Sequence, residues 1–425
     1  MVAKSEMPLL VLGGGIGGVA AALGLARRGR RVHVLEKAPN LTEIGAGLQL
    51  APNAMRVLDW LGVLEQIKKV AVFPQTLTLL DIVTTKLLKT VDLGPSFVAR
   101  YGYPYIVMHR SDLLAILVEA CRNSGLVSFE TNKEAVTIED LHDSARVSCR
   151  DGSEYRTEAL IAADGLWSLA RRTLFSDDPI QTPKYVAYRG TIPTSEITMH
   201  ARPDDLLIWA GPEMHLVQYP VRGGELYNQV AVFKSDRFRS DSDDWGTPEE
   251  LGRHFSKACA YVIGAVKEVG RGRRWPLFDR NPIAHWAQNR VVLLGDAAHP
   301  MLQFLAQGAC QAFEDAFCIA ECMDRHTPDI ARAFVAFQNT RFLRATRVQM
   351  TARFFEHFWH PKGVGADLRN AYLVSHAPDS YTEFDWLYGA RGADWRRSES
   401  NRPAFLDETW ASPIMMQSTQ GETVP

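Results

Sequence analysis

The stretch "LLVLGGGIGGVAAALGLARRG", Leu9 to Gly29, restricts this chain more than any other. Met7 to Ala26 carry no charge, and about 20 such residues would suffice to cross a bilayer. The glycines point elsewhere. They cluster in mid-segment, where a spanning helix gains nothing, whereas a strand, tight turn and helix need them. No basic-apolar-cleavage signal precedes the segment. "PLLVL" therefore reads as a buried strand, "GGGIGG" as a turn, "VAAALGLARRG" as a helix stopped by Gly29, and "RRVHVLEK" as a second, parallel strand. At the turn stands Gly13-x-Gly15-x-x-Gly18, with Glu36 eighteen residues beyond Gly18. In such a unit the first two glycines let the backbone approach a pyrophosphate and the third lets the helix lie close on the strand. The phosphate sits at the positive helix end, and Glu36 accepts from ribose hydroxyls. FAD and NAD share the adenosine diphosphate that such a unit holds, so it leaves the choice between them open.

The remaining chain surrounds this unit with insertions. "QTLTLLDIVTTKLLKTVDL", within 73–103, alternates like antiparallel strands; "HRSDLLAILVEACRNSG" reads as a helix with Ser111 as N-cap and Gly125 as its stop. A strand meander follows around Asp151-Gly152, and a second strand-rich insertion runs from about Tyr185 to Trp275. The expected architecture is α/β: a discontinuous Rossmann-like nucleotide domain (1–72, 104–182 and 286–360), an inserted β-sheet substrate domain (73–103 and 183–285), and a helical C-terminal region with a tail (361–425). A net charge of −2 lacks the basic excess of a nucleic-acid binder. The six cysteines, at 121, 149, 259, 310, 318 and 322, form neither metal-ligand pairs nor a disulfide framework, so a reducing cytoplasm and no metal site are expected. Cys318 and Cys322, four apart, read as small apolar core residues.

Two further motifs follow the glycine turn: "IAADGLWSLARR" at 161–172 and "VVLLGDAAHP" at 291–300. In that order, Gly-x-Gly-x-x-Gly, Asp-Gly-x-x-Ser-x-x-Arg and Gly-Asp resemble the fingerprint of the single-component FAD-dependent aromatic hydroxylases, over roughly residues 8 to 390. The resemblance implies that FAD is the cofactor, that Glu36 holds its ribose, that Arg110 lies near it and that Asp296 binds its ribityl chain. Asp164 would belong to a motif serving both FAD and the nicotinamide nucleotide, and Lys37, Gln49 and Ala309 would complete the cofactor contacts. A helix entered at Gly308 would aim its N-terminal amides at the flavin N1–C2 carbonyl region, favouring the anionic reduced ring. Plainer readings stand beside these: Asp164-Gly165 and Gly308 as turns, Asp296 as a helix cap, Arg110 as a surface charge.

Within that family the likeness runs to the 3-hydroxybenzoate 6-hydroxylases, through "EIGAGLQLAPN", "YGYPYIVMHRSDL", "YVAYRGT", "HLVQYPVRGGELYNQVAVF" and "LLGDAAHPMLQFLAQGA"; salicylate 1-hydroxylases and 6-hydroxynicotinate 3-monooxygenases are similar in shape. Such enzymes oxidise NADH or NADPH, add O2 to reduced flavin, and pass the terminal oxygen of a C4a-hydroperoxide to an electron-rich ring. A phenol of pKa near 10 is about one part in a thousand ionised at pH 7, a handicap of roughly 4 kcal/mol, so a base that draws off its proton is wanted. A strand over "HLVQY" places His215, Val217 and Tyr219 on one face, and an imidazole titrating near neutrality makes His215 the candidate base. Gln303, between Leu302 and Phe304, needs a partner worth about 1–3 kcal/mol, for which a substrate hydroxyl or the flavin is suited. The resemblance implies that Tyr105 and Tyr219 donate to a substrate carboxylate; core packing is the rival. His299 reads as a structural turn contact. The expected activity is NADH-driven hydroxylation of 3-hydroxybenzoate para to its hydroxyl, giving 2,5-dihydroxybenzoate (gentisate), by a cytoplasmic homodimer. A salicylate or hydroxypyridine hydroxylase, an FAD dehydrogenase and a non-catalytic FAD-binding sensor are the alternatives.

Overall fold

The computed structural model describes residues 8–42, 46–176, 178–197, 205–239, 242, 244–269 and 274–389. The tail read from Arg391 onward lies outside them. Leu9–Leu12 is buried along its whole length, as a central strand covered on both faces must be. It lies in a six-stranded sheet whose order is Ala287–Gln288, Val291–Leu293, Leu160–Ala162, Leu9–Leu12, Val32–Leu35, Val127–Glu130. The five strands from Val291–Leu293 to Val127–Glu130 pair in parallel, and the edge strand Ala287–Gln288 is antiparallel. Helix Ile16–Arg27 makes the crossover from Leu9–Leu12 to Val32–Leu35, and Gly29 ends it at φ +72°.

Two of the three motif glycines are required by backbone crowding. A Cβ on Gly13, whose φ is +110°, would stand 2.3 Å from the carbonyl oxygen of Ala163; one on Gly18 would stand 2.0 Å from that of Gly13. Gly18 thus lets the helix approach the turn, as expected. Gly13, expected to make room for a pyrophosphate, instead makes room for the neighbouring parallel strand's end. Gly18→Ala forces backbone apart rather than a flexible side chain, and is expected to cost about 1–3 kcal/mol, read as a lower denaturation midpoint; an unchanged midpoint would show that the turn yields freely.

The second sheet has seven strands, in the order Arg274–Pro276, Tyr185–Pro193, Leu226–Lys234, Met214–Val221, Asp205–Gly211, Thr76–Asp81, Leu87–Asp92. Period-2 alternation divides its side chains between two faces. Val186, Tyr188, Met214 and Leu216 pack with Val262 and Val266 of helix Ala260–Val269, while Tyr185, Ala187 and Val232 pack with Leu302 and Phe304 on the opposite side. Thr76–Asp81 and Leu87–Asp92 pair antiparallel, as expected, and Thr76–Asp81 also joins Asp205–Gly211 in parallel, a partner that alternation does not identify. Two local expectations differ from the fold. Pro95–Tyr101 is helical, with Pro95 at its start and left-handed Gly102 at its end, where strand was expected. Ser111 is not an N-cap: helix Arg110–Asn123 starts after His109, and the Ser111 hydroxyl meets His109 Nδ1 at 2.6 Å inside the first turn. Helix Ile330–Trp359, then Val364–Val374 and the short helical turns Thr382–Phe384 and Asp385–Tyr388 make up the described C-terminal part. No described helix is long and apolar enough to cross a membrane.

Candidate active site

Between the two sheets lies a cavity of about 1320 Å³, larger than the roughly 300–1,000 Å³ of an ordinary small-ligand pocket. Two helix starts open on it. Gly15, the N-cap of Ile16–Arg27, lines it with Ile16 and Gly17; Gly308 and Ala309, the first residues of helix Gly308–His326, line it elsewhere. Each start presents free backbone N–H groups and about half a positive charge, suited to a pyrophosphate and to a ring carbonyl. Asp296 also lines the cavity, exposed between buried Gly295 and Ala297.

The turn that presents Asp296 is held from behind. Asp315 accepts from Gly295 N–H at 2.9 Å and meets His299 Nε2 at 2.6 Å, the structural role expected of that histidine. Arg171, wholly buried, donates to the carbonyls of Ala297 and Ala298 and pairs with Asp178, so the Asp-Gly-x-x-Ser-x-x-Arg motif clamps the Gly-Asp motif directly. Asp164 Oδ2 accepts from Leu169 N–H at 2.7 Å, while its buried Oδ1, beside cavity-lining Gly165, has no hydrogen-bond partner among the described residues. Burial raises the Asp164 carboxyl above its usual range.

The structure brings together ten of the fifteen residues singled out from the sequence. Gly15, Gln49, Arg110, Asp296, Gly308 and Ala309 share the cavity's wall with Tyr105, His215, Tyr219 and Gln303. Gly13, Gly18, Glu36, Lys37 and Asp164 stand outside the lining. Lys37 is exposed on the loop after Val32–Leu35. Glu36 is engaged by the turn itself, accepting from Gly14 N–H at 2.7 Å and Ala38 N–H at 2.8 Å; each oxygen keeps a second lone pair that a ribose hydroxyl can use.

At the cavity's apolar end, strand Met214–Val221 directs His215, Val217 and Tyr219 inward, the alternation expected of it. His215 is 5 % exposed, and burial lowers its pKa to about 3. The expectation of an imidazole titrating near neutrality is therefore wrong for the free protein: His215 is neutral there, and it gains a proton only against an arriving negative charge. Its Nδ1 lies 2.7 Å from His360 Nε2. Gln303 Oε1 accepts from the Arg189 guanidinium rather than awaiting a substrate hydroxyl or the flavin. Tyr105 donates to Gln49 Oε1 at 2.7 Å, so its proton already has an acceptor within the protein. Burial raises the Tyr105 and Tyr219 phenols, which stay protonated at neutral pH.

Arg189 and His360 did not emerge from the sequence as site residues. Arg189 had a usable signal, since it shares a face with Tyr185 and Ala187 on a strand otherwise apolar at those positions. Its pKa falls to about 10, through burial first and the positive charge of Arg110 second, and its buried Nε has no hydrogen-bond partner among the described residues. His360 follows a helix end and carried no local signal at all.

This donor set fits a flavin dinucleotide: two helix starts, a carboxylate presented by a clamped turn, and an orphaned carboxylate oxygen beside Gly165. A family model described as an FAD binding domain matches residues 6–326, and the chain belongs to the FAD-dependent aromatic hydroxylases, a class of flavin monooxygenase. It is 39 % identical to 3-hydroxybenzoate 6-hydroxylase 1 of Aquipseudomonas alcaligenes, over 90 % of this chain and 97 % of that one. It is 38 % identical to 3-hydroxybenzoate 6-hydroxylase of Polaromonas naphthalenivorans (strain CJ2), over 91 % and 96 %. Among solved structures, Klebsiella pneumoniae HpxO complexed with FAD and uric acid matches with a TM-score of 0.79 at 23 % identity, covering 90 % of this chain and 97 % of that one.

The depressed histidines have a consequence for stability. His215 and His360 are both held below the ordinary 6.5, so the unfolded chain binds protons that the folded one refuses. Stability is complete above about pH 6.5 and declines as pH falls below it, by up to about 1.4 kcal/mol per pH unit for each imidazole. Urea unfolding midpoints should fall between pH 7 and pH 5, and the double variant His215→Asn/His360→Gln should flatten that slope. An equally steep slope in the variant would assign it to other groups.

Proposed function

We propose that the protein hydroxylates 3-hydroxybenzoate para to its hydroxyl, giving 2,5-dihydroxybenzoate, with NADH as reductant and O2 as oxidant. The observation that carries this is the pairing, in one cavity, of a neutral imidazole with a cationic group. Among the described residues His215 is hydrogen-bonded through Nδ1 alone, and Arg189 stands beside Gln303 with an unsatisfied Nε. A hydroxybenzoate has the matching ends: its carboxylate meets the field of Arg189 and Arg110, and its phenol meets His215. Buried, protonated Tyr219 is placed to donate to the same anion.

FAD, when bound, supplies the electrons that activate O2 and the site of oxygen transfer. The protein's own share is to bind, orient and ionise the ring. As His215 Nε2 takes the phenolic proton, the resulting oxyanion pushes electron density to the ortho and para carbons, and the imidazolium gains a counter-charge that offsets its desolvation. Phe304, with Ala352 and Trp359, forms an apolar cluster at this end of the cavity, a surrounding that disfavours water beside the imidazolium and oxyanion. The names of the relatives at 38–39 % identity support this substrate, and a cytoplasmic homodimer belongs to the same reading by likeness to that subgroup. The test is NADH consumption with product identification across 3-hydroxybenzoate, salicylate, 4-hydroxybenzoate and 6-hydroxynicotinate. Coupled turnover confined to 3-hydroxybenzoate is expected; coupled turnover of another of the four in its place would reassign the substrate.

A further inference from the structure

His215, the base of the scheme above, forms a buried pair with His360, which that scheme does not use. Their rings stack with centroids 5.0 Å apart, and His360 stacks in turn on Tyr185 at 4.8 Å. His215 lines the cavity; His360 is 6 % exposed and stands behind it. The side chain reaches this position because helix Ile330–Trp359 ends there, with His360 as its C-cap. That end carries the helix's partial negative charge, which favours positive charge on the pair.

An imidazole has two nitrogens, and the partner of one decides the role of the other. If Nδ1 of His215 only accepted, Nε2 would carry the proton and could not act as a base. We propose that His360 is the positioning residue for His215: its Nε2 accepts from His215 Nδ1–H, which fixes the tautomer that turns the Nε2 lone pair of His215 toward the cavity. The phenolic O–H then breaks, its proton goes to His215 Nε2, and the Nδ1–H···Nε2 bond becomes charge-assisted. This rests on the reading of His215 as the base. The charged and titratable groups facing His360 are His215, Arg369 and Lys234, with the backbone of Glu356 and the ring of Tyr185. Burial first, and the two cations after it, work against protonation of His360, so one of its nitrogens keeps a lone pair, which the proposal assigns to Nε2.

The experiment follows the ultraviolet difference spectrum of 3-hydroxybenzoate bound to the holoenzyme between pH 5.5 and 9.5, which reports the ionisation of the bound phenol. In the unaltered protein the phenol ionises below its value in water. His360→Phe, which keeps an aromatic ring but no acceptor, should raise the apparent pKa of the bound phenol by about one unit or more, a tenfold loss of phenolate at a given pH. His360→Gln, whose amide oxygen accepts, should restore it, with flavin content and flavin reduction by NADH unchanged in both. Should His360→Phe fail to retain flavin, His360→Met takes its place with the same expected rise. A shift with His215→Phe but none with the His360 variants would overturn the positioning role and leave the base. Failure of His360→Gln to restore ionisation would overturn it as well. No shift with His215→Phe would refute the base and the proposal together.

Discussion

His215→Ala is expected to lower coupled hydroxylation by about 10²- to 10⁴-fold, the usual contribution of a positioned general base, while leaving flavin reduction by NADH within a few-fold of normal. The separation follows from geometry. His215 lies on strand Met214–Val221, against Phe304 and His360, whereas the groups proposed to hold the flavin's phosphates and ribityl chain, the glycine turn and Asp296, lie on the first sheet's side. The deficit should shrink as pH rises toward the free phenol's own ionisation, because the missing base is then no longer needed. Rapid-mixing measurement of flavin reduction, beside product formation over pH 7 to 10, checks both statements. Equal loss in the two half-reactions, or a deficit independent of pH, would remove the base role.

The second large effect concerns a group far from any substrate. Arg341 is wholly buried and joins three residues of helix Gly308–His326: Asp315 at 2.7 Å, Glu314 at 2.5 Å and the Gln311 amide oxygen at 2.8 Å. Burial alone would raise the Glu314 carboxyl, but Arg344 and Arg341 outweigh it and hold the value at about 2. Asp315 is likewise lowered on balance, against its burial, by His299 and Arg341. Arg341→Met keeps volume but leaves buried carboxylates short of a counter-ion, and is expected to cost about 3–5 kcal/mol. Because Asp315 also holds Gly295, flavin retention should fall with stability. Urea unfolding and the flavin-to-protein absorbance ratio measure the two. A cost below about 1 kcal/mol with full flavin content would show that Arg344 and His299 suffice without it.

These two predictions lie on opposite sides of what the sequence makes legible. Crowding at Gly18, the strand ends carrying Gly13 and Gly295, and the helix beginning at Gly308 all leave local marks, since backbone geometry permits few residue types there. Alternation along "HLVQY" likewise marks which side chains share a face. What depends on a partner distant in the chain leaves no such mark. Gln303 was legible as an amide needing a partner, but the partner is Arg189, 114 residues away. His215 was legible as a titratable ring on a strand, but its low basicity comes from burial by other segments, and its neighbour His360 is 145 residues on. Nothing local marks Asp315 of "FEDA" as the anchor of the Gly-Asp turn, where it accepts from Gly295 N–H and is itself held by Arg341 of the next helix.

One incubation bears most directly on the claim that this cavity ionises a hydroxybenzoate for oxygen transfer. The purified yellow protein is given 3-hydroxybenzoate, NADH and ¹⁸O-labelled O2, and gentisate and hydrogen peroxide are both quantified. The account predicts gentisate carrying one labelled oxygen, formed nearly one-for-one with NADH oxidised and with little peroxide. Peroxide equal to the NADH consumed and no gentisate, or gentisate whose new oxygen is unlabelled, would contradict it.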